Sequence, residues 1–215
     1  MTITTPSITT TSPPGPTSPI FHPAAHGRAV ATLSEAFHHD PVFEWVYPDE
    51  SHRRIAVPHF FGVLVEQFAT RHQVRTTVDV DGVALWLPPG EELLTEATAD
   101  PVVNELVEAA GPAAERLGET MAVLEEHHPH EPHWYLGFLG VHPAAQGEGL
   151  GSALLRATLV GVDVCGDAAY LEATSPDNRR LYERHGFEVV RELPLPGGGP
   201  SLFAMWREPQ TEGRS

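Results

Sequence analysis

Three glycines at alternate positions, Gly147, Gly149 and Gly151, stand just before an apolar run with helical spacing. The start of a helix exposes backbone N–H groups that have no partner within the helix, and the helix dipole adds partial positive charge there. Glycines let the preceding loop curl and bring its own N–H groups toward phosphate oxygens. The turn therefore predicts an anion site, such as a diphosphate site, because a tight helix entry alone would need fewer glycines.

The spacing of this turn argues against two common nucleotide sites. Dinucleotide-binding folds place G-x-G-x-x-G directly after a strand, but here the third glycine comes one place early, Ser152 takes its position and Pro143 intervenes. Glu172 does stand where a ribose-binding acid would be expected. A P-loop requires Gly-Lys-Ser/Thr, and the chain contains no lysine.

The pattern that remains is Q-x-x-G-x-G beginning at Gln146, followed by N-x-x-x-Y-x-x-x-G-F beginning at Asn178. With these two motifs the sequence resembles the GNAT superfamily of acyl-CoA-dependent N-acetyltransferases. Residues 131–155 and 171–187 resemble its puromycin N-acetyltransferase branch in detail. The resemblance implies acetyl-CoA as co-substrate, no metal, and direct transfer to a primary amine in a ternary complex.

The resemblance also implies which residues bind acetyl-CoA. The strand before the turn offers backbone groups to the pantetheine arm, the turn holds the pyrophosphate, and the asparagine of the second motif contacts the pantetheine or the reacting group. In chain order these residues are Leu139, Val141, Gln146, Gly147, Gly149, Gly151, Ser152 and Asn178. Asn178 also stands near a predicted helix start, where it could serve only as a cap.

Tyr182 lies one helical turn after Asn178 on the same predicted face. Transfer from a thioester expels a thiolate, which leaves more readily beside a proton donor, and a phenol is protonated at neutral pH. The resemblance implies that Tyr182 is this general acid. The alternative is that Tyr182 only packs in the core.

The attacking amine must lose a proton, and the sequence is less clear about the acceptor. Where some GNAT enzymes carry a glutamate, eleven places before the glutamine, this chain has Tyr135, which is a poor base. Glu172 on the next predicted strand is the expected substitute. His133 and Glu44 are further options, and water could also accept the proton.

The resemblance places the amine opposite acetyl-CoA, between the loop of residues 38–50 and the loop of residues 194–200. Four residues of the first loop offer aromatic faces and charge for an ammonium group: Phe43, Glu44, Trp45 and Tyr47. Core packing and solvated surface are the alternative roles. The histidines at 127, 128, 130 and 133 are crowded by two prolines, so a solvated loop is expected rather than a metal site.

The order of predicted elements must position these residues. Helices are expected over residues 27–39 and 51–71. Two strands are expected around Asp81-Gly82, the first of which contains Val78 and Val80. Residues 91–128 are expected to be helical, with a break near Gly111. Strands and helices alternate beyond residue 133. The predicted fold is α/β: a mixed, mostly antiparallel central sheet of about six to seven strands flanked by helices, with a splayed parallel strand pair that the resemblance places at the acyl-CoA site.

The domain boundaries follow from composition. Residues 1–22 are rich in Thr, Ser and Pro and predict a disordered tail, residues 23–209 form the acetyltransferase domain, and residues 210–215 form a flexible C-terminal tail. A net charge of −16 argues against nucleic acid or an anionic membrane as partner. No apolar run is long enough to span a membrane, and the single cysteine, Cys165, fits a reducing compartment, so a cytoplasmic location is expected. The resemblance adds a homodimer as an expected assembly.

The function predicted from the sequence is acetylation of a primary amine on a small molecule, of the kind found in antibiotic resistance or antibiotic biosynthesis. One alternative is a protein or peptide N-acetyltransferase with the same fold. Another is a CoA-binding module without turnover, and a dinucleotide-dependent oxidoreductase is the remote alternative.

Overall fold

A six-stranded sheet forms the centre of the molecule, in a computed structural model that describes residues 21–71, 73–94 and 96–210. The strand order is β1-β2-β3-β4-β6-β5, and every neighbouring pair is antiparallel except β3 and β4. The strands are β1 (Val74–Thr76), β2 (Gly82–Leu87), β3 (His133–Val141), β4 (Ala168–Ala173), β5 (Glu188–Pro194) and β6 (Ser201–Arg207). The predicted fold class is confirmed.

Seven α-helices flank the sheet within the described residues. They are α1 (His26–Phe37), α2 (Pro41–Val46), α3 (Glu50–Thr70), α4 (Glu96–Ala110), α5 (Ala114–His127), α6 (Leu150–Cys165) and α7 (Pro176–Glu183). The predicted break near Gly111 is the short 3-10 helix Gly111–Ala113 between α4 and α5. None of the described helices is long and apolar enough to cross a membrane.

The two faces of the sheet bury two separate apolar cores. Alternation along β2 shows the division, since Leu85 and Leu87 belong to the core shared with α1 to α5, whereas Ala84 and Trp86 belong to the core shared with α6 and α7. On β4, Tyr170 lies in the first core. Glu172 is two residues further along β4 and therefore faces the same side as Tyr170.

Two local predictions were wrong. The loop expected over residues 38–50 contains α2, whose first turn is capped by Asp40 and begins with Pro41. The strand expected through Val78 and Val80 is shorter, because β1 ends at Thr76; Val78 is 98% exposed and Val80 adopts a left-handed φ of 59°.

The predicted tails fall almost wholly outside the described residues, which exclude 1–20 and 211–215. Phe21 packs against the core of α1 to α5, and the His22 side chain accepts a hydrogen bond from Ala24 N. At the other end, Gln210 N donates to Asp163 Oδ1 at 2.8 Å.

Candidate active site

Strands β3 and β4 pair over only part of their length. The parallel register runs from His133↔Ala168 to Leu136↔Leu171, although β3 continues to Val141. The register of β3 with β2 shifts at the same level, where Gly137 has no partner in β2. The two parallel strands thus separate beyond Leu136 and leave one edge of β3 unpaired by β4.

The free edge of β3 presents the backbone groups of Leu139 and Val141. Gln146 Nε2 donates to Val141 O at 3.1 Å, so this carbonyl points away from β2. Backbone groups two residues apart on a strand point to the same edge, which gives Leu139 the same orientation. A ligand with amide groups can therefore lie along β3 where β4 has diverged.

The glycine turn leads from this strand end into α6. Gly147 and Gly149 both have φ of +81°, and Gly149 is the N-terminal cap of α6 without a side-chain cap. A Cβ atom at either position would have no heavy atom within 4 Å, so backbone conformation, not space, favours glycine there. Gly151 has no such conformation, and its Cβ would meet Val141 and Leu181 at ordinary contact distances of 3.6 and 3.7 Å.

A cleft of about 350 Å³ runs along the β3 edge and the glycine turn. All eight residues that the sequence assigned to acetyl-CoA line it: Leu139, Val141, Gln146, Gly147, Gly149, Gly151, Ser152 and Asn178. Arg184 lines the cleft as well and adds a cation near the α6 N-terminus. The Ser152 hydroxyl lies 3.0 Å from His185 Nε2. Burial lowers the pKa of His185, and nearby arginines act in the same direction.

A second cavity, of about 230 Å³, lies between the sheet and the helices α2 to α5. Phe37 and Leu139 line both this cavity and the cleft, and so do Tyr182 and Asn178. Tyr182 and Asn178 are separated by one helical turn on α7, as the sequence predicted. The two spaces therefore meet at these four residues, of which only Tyr182 and Asn178 have polar side chains.

Tyr182 is 8% exposed, and within the described residues its hydroxyl has no hydrogen-bond partner. Burial raises the pKa of Tyr182, and the nearby Asp40 carboxylate raises it further. The phenol is consequently protonated at neutral pH. It is therefore a proton donor at the junction of the two spaces.

Asn178 is held by a chain of polar contacts that reaches α2. Its Nδ2 donates to Thr174 Oγ1 at 3.1 Å, and that hydroxyl donates to Asp40 Oδ2. The other oxygen of Asp40 accepts from Val42 N, which caps α2. Ser175, and not Asn178, is the N-cap of α7. Burial raises the pKa of Asp40, an effect that its hydrogen bonds oppose.

Glu172 lines the cavity, as does Tyr182. The Tyr135 hydroxyl donates to its Oε2 at 3.0 Å, whereas Oε1 is shielded from solvent and has no partner among the described residues. Burial raises the pKa of Glu172 from 4.5 to about 7, against the opposing effect of the nearby phenols of Tyr170 and Tyr135. Glu172 can therefore gain and lose a proton near neutral pH.

The structure separates the four residues that the sequence assigned to the substrate. Phe43 and Tyr47 are buried and line the cavity. Glu44 is exposed, outside the cavity lining, 3.1 Å from His39 Nδ1. Trp45 also lies outside the lining and packs against the loop of residues 196–199, where a Cβ on Gly199 would be 2.7 Å from the indole.

The other proposed proton acceptors lie away from the cavity. His133 is buried and does not line it; its Nδ1 contacts Glu131 O at 2.6 Å, and its ring packs against His128 and Tyr170. Within residues 21–71, 73–94 and 96–210, no three His, Cys, Asp or Glu side chains are grouped so that they could hold a metal ion.

Sequence reasoning missed Asp40, Thr174 and Arg184 as residues around the two spaces. The Asp40-Pro41 pair is a helix N-terminus signature and was available from the sequence. Arg184 follows Tyr182 by two residues, and no sequence signal distinguished it from the neighbouring arginines.

Comparisons with known proteins bear on this geometry. The family model for the Acetyltransferase (GNAT) domain matches residues 105–189, which include β3, the glycine turn and Tyr182. A crystal structure from Corynebacterium glutamicum, described as histone acetyltransferase HPA2 and related acetyltransferase, is 31% identical with a TM-score of 0.65, covering 93% of this chain and 99% of that one. The chain belongs to the GNAT acetyltransferases.

One further relative in sequence and one further structure with the same fold were found. An uncharacterized N-acetyltransferase from Schizosaccharomyces pombe is 28% identical over 203 residues, which are 87% of this chain and 81% of the relative. The Drosophila melanogaster polyamine N-acetyltransferase shares the fold, with 15% identity, a TM-score of 0.58, and coverage of 86% of this chain and 95% of that one. The protein is an acetyltransferase enzyme of the GNAT family.

Proposed function

We propose that this GNAT acetyltransferase transfers an acetyl group from acetyl-CoA to a primary amine of a small molecule, with Tyr182 as general acid and Glu172 as proton acceptor. The observation that carries the proposal is that a cleft and a separate cavity meet at Tyr182 and Asn178. Two substrates can then approach each other from opposite sides, as a ternary complex requires.

The cleft fits the chemistry of acetyl-CoA. The first turn of α6 offers uncapped N–H groups for a diphosphate, with Arg184 beside them. The free edge of β3 at Leu139 and Val141 offers backbone groups to the amides of a pantetheine arm. Acetyl-CoA supplies a thioester carbonyl, to which the amine nitrogen bonds while the carbon–sulfur bond breaks.

Tyr182 at the junction and Glu172 in the cavity lining supply the proton transfers. Glu172 receives the proton that the amine nitrogen must lose, because its raised pKa lets a substantial fraction be ionised at neutral pH and still makes it a better base than an ordinary carboxylate. Tyr182 gives its hydroxyl proton to the leaving sulfur, and its own raised pKa keeps that proton in place until then. Asn178 lies one helical turn before Tyr182, between the two substrates, and its hydrogen bond to Thr174 fixes its side chain.

The resemblance to the puromycin branch and a role in antibiotic resistance or biosynthesis remain predictions. Peptide acetylation is the alternative to be tested against them. The cytoplasmic location, the homodimer and the domain boundaries remain predictions as well.

The experiment is release of the free CoA thiol from acetyl-CoA over a panel of amines: puromycin, aminoglycosides, polyamines, hydrophobic monoamines, amino acids and lysine peptides. Wild type is compared with Tyr182→Phe and with Thr158→Val, the loss of another buried hydroxyl, on a residue that is 4% exposed and lines neither space. Turnover that falls strongly only in Tyr182→Phe supports the proposal. Turnover equal in all three proteins would remove Tyr182 from the mechanism, and CoA binding without turnover of any amine would contradict the proposed function.

A further inference from the structure

The walls of the 230 Å³ cavity are almost entirely hydrophobic. The sheet contributes one wall, and the helices contribute the others, with aromatic side chains on three sides. The residues that dominate this lining are Phe43, Phe60, Phe68, Phe138, Leu117 and Met121. The volume is smaller than the roughly 300–1,000 Å³ that is usual for pockets of drug-sized ligands. A compact ligand with a hydrophobic body suits these walls.

A single carboxylate faces this hydrophobic space. Glu172 is the only charged side chain in the cavity lining among the described residues, and its Oε1 has no partner there. An ammonium group entering the cavity can form an ion pair with the carboxylate of Glu172, which lines this space. The lining therefore provides for one positive charge, at the sheet wall that carries Glu172.

The remaining polar groups of the lining are neutral, and most are already engaged. Thr120 on α5 donates to Arg116 O at 2.8 Å, Thr174 donates to Asp40, and Tyr135 donates to Glu172. None of them can neutralise a second cation. A second ammonium on the ligand would lie against hydrocarbon without a counter-charge, which is strongly unfavourable.

We infer that the amine substrate is a primary monoamine with a compact hydrophobic body, whose amino group lies between Glu172 and Tyr182 and whose body lies against the α2, α3 and α5 wall. This inference rests on the proposed function and narrows its substrate class. Diamines, polyamines and aminoglycosides are poor substrates, because the cavity has no counter-charge for a second ammonium group. A lysine peptide is also a poor substrate, because its backbone stays outside the cavity and leaves the hydrophobic part of the cavity unfilled.

The test uses the wild-type enzyme and amines matched in length. Phenylethylamine is compared with its aminomethyl-substituted analogue, and hexylamine with hexanediamine, in acetyl-CoA turnover at saturating acetyl-CoA. The monoamine of each pair is expected to have at least tenfold higher kcat/KM, equivalent to about 1.4 kcal/mol. A lysine peptide is measured beside them and is expected to fall at least tenfold below the hydrophobic monoamines.

A variant pair checks where the body of the ligand lies. Thr120→Asp adds a carboxylate to the α5 wall and is expected to raise the diamine-to-monoamine ratio of kcat/KM at least tenfold. Thr120→Asn has the same shape without the charge and should leave the ratio unchanged.

The outcomes separate the two claims. Diamines or lysine peptides turned over as well as hydrophobic monoamines would overturn the inference and leave the proposed function standing. A ratio that does not change in a folded Thr120→Asp enzyme would also overturn it. Absence of turnover with every amine, despite binding of CoA, would overturn the proposed function and the inference together.

Discussion

Replacing Glu172 by glutamine is expected to stabilise the folded protein, and increasingly so as the pH rises. Burial raises the pKa of Glu172 from 4.5 to about 7, so the folded state holds this proton more tightly than the unfolded chain does. Between these two pH values the folded state carries the proton and the unfolded state does not. The stability of wild type therefore falls as the pH rises through this window, whereas the glutamine of the variant cannot titrate.

The size of the stability gain follows from the pKa values of Glu172 in the unfolded and the folded state. The difference between 4.5 and about 7 corresponds to about 3 kcal/mol in total, at about 1.4 kcal/mol per pKa unit. Measurement is best kept above the isoelectric point of about 5.1, where the protein retains net negative charge. From about pH 5.5 to about pH 8 the advantage of Glu172→Gln over wild type should then grow by about 2 kcal/mol, or roughly 4–8 °C in Tm for a chain of this size.

The assay is urea-induced unfolding of wild type and Glu172→Gln at several pH values, followed by tryptophan fluorescence. Glu188→Gln serves as the control for charge removal, since Glu188 is exposed on β5. The expected result is a difference in unfolding free energy that grows with pH for the first variant and stays smaller for the control. A difference independent of pH would refute the claim that burial has raised this pKa, and with it the physical basis for Glu172 as proton acceptor.

The remaining predictions concern activity and the two spaces. Glu172→Gln should also lower kcat/KM by roughly 10²–10⁴-fold and abolish a rising limb near pH 7 in its pH profile; an unchanged profile would assign that limb to another group. Tyr182→Phe should lower kcat by a similar roughly 10²–10⁴-fold with little change in Tm, because its hydroxyl has no partner among the described residues; a large loss of stability would instead indicate a packing role. Gly149→Ala should lower the free energy of unfolding by about 1–2 kcal/mol, because the φ of Gly149 is +81°. Gly151→Ala should leave the stability unchanged and raise KM for acetyl-CoA. Gly62→Ala in α3 is the control, which should alter neither binding nor turnover. Asp40→Ala should lower the free energy of unfolding by about 1–2 kcal/mol, because Asp40 caps α2; equal urea midpoints would contradict this.

Much of the cleft proposed for acetyl-CoA could be predicted from the sequence because its determinants are local. The left-handed φ values of Gly147 and Gly149, the start of α6 at Leu150 and the one-turn spacing of Asn178 and Tyr182 all depend on residues close in the chain. Capping residues and hydrophobic periodicity in the sequence predict local structure of this kind. The eight predicted residues accordingly lie in one cleft.

The residues around the cavity proposed for the amine were harder to predict from the sequence, and α2 shows why. Four neighbouring residues were treated alike while the segment was expected to be a loop. Phe43 in α2 and Tyr47 at its C-cap are four positions apart and both line the cavity, whereas Glu44 is rotated by about 100° from Phe43 and reaches solvent. The Asp40-Pro41 signature would have been enough to predict this division.

The sequence by itself determined the family, the order of the elements from α6 onward, and the glycine turn, because these depend on backbone conformation and spacing along the chain. Only the tertiary structure decided what lies across the site. The sheet brings Glu172 beside Tyr135, and the packing of α2 to α5 closes hydrophobic walls around the cavity that both residues line. Burial and its effect on the pKa of Glu172 are set by residues far apart in the chain, and no local pattern records them.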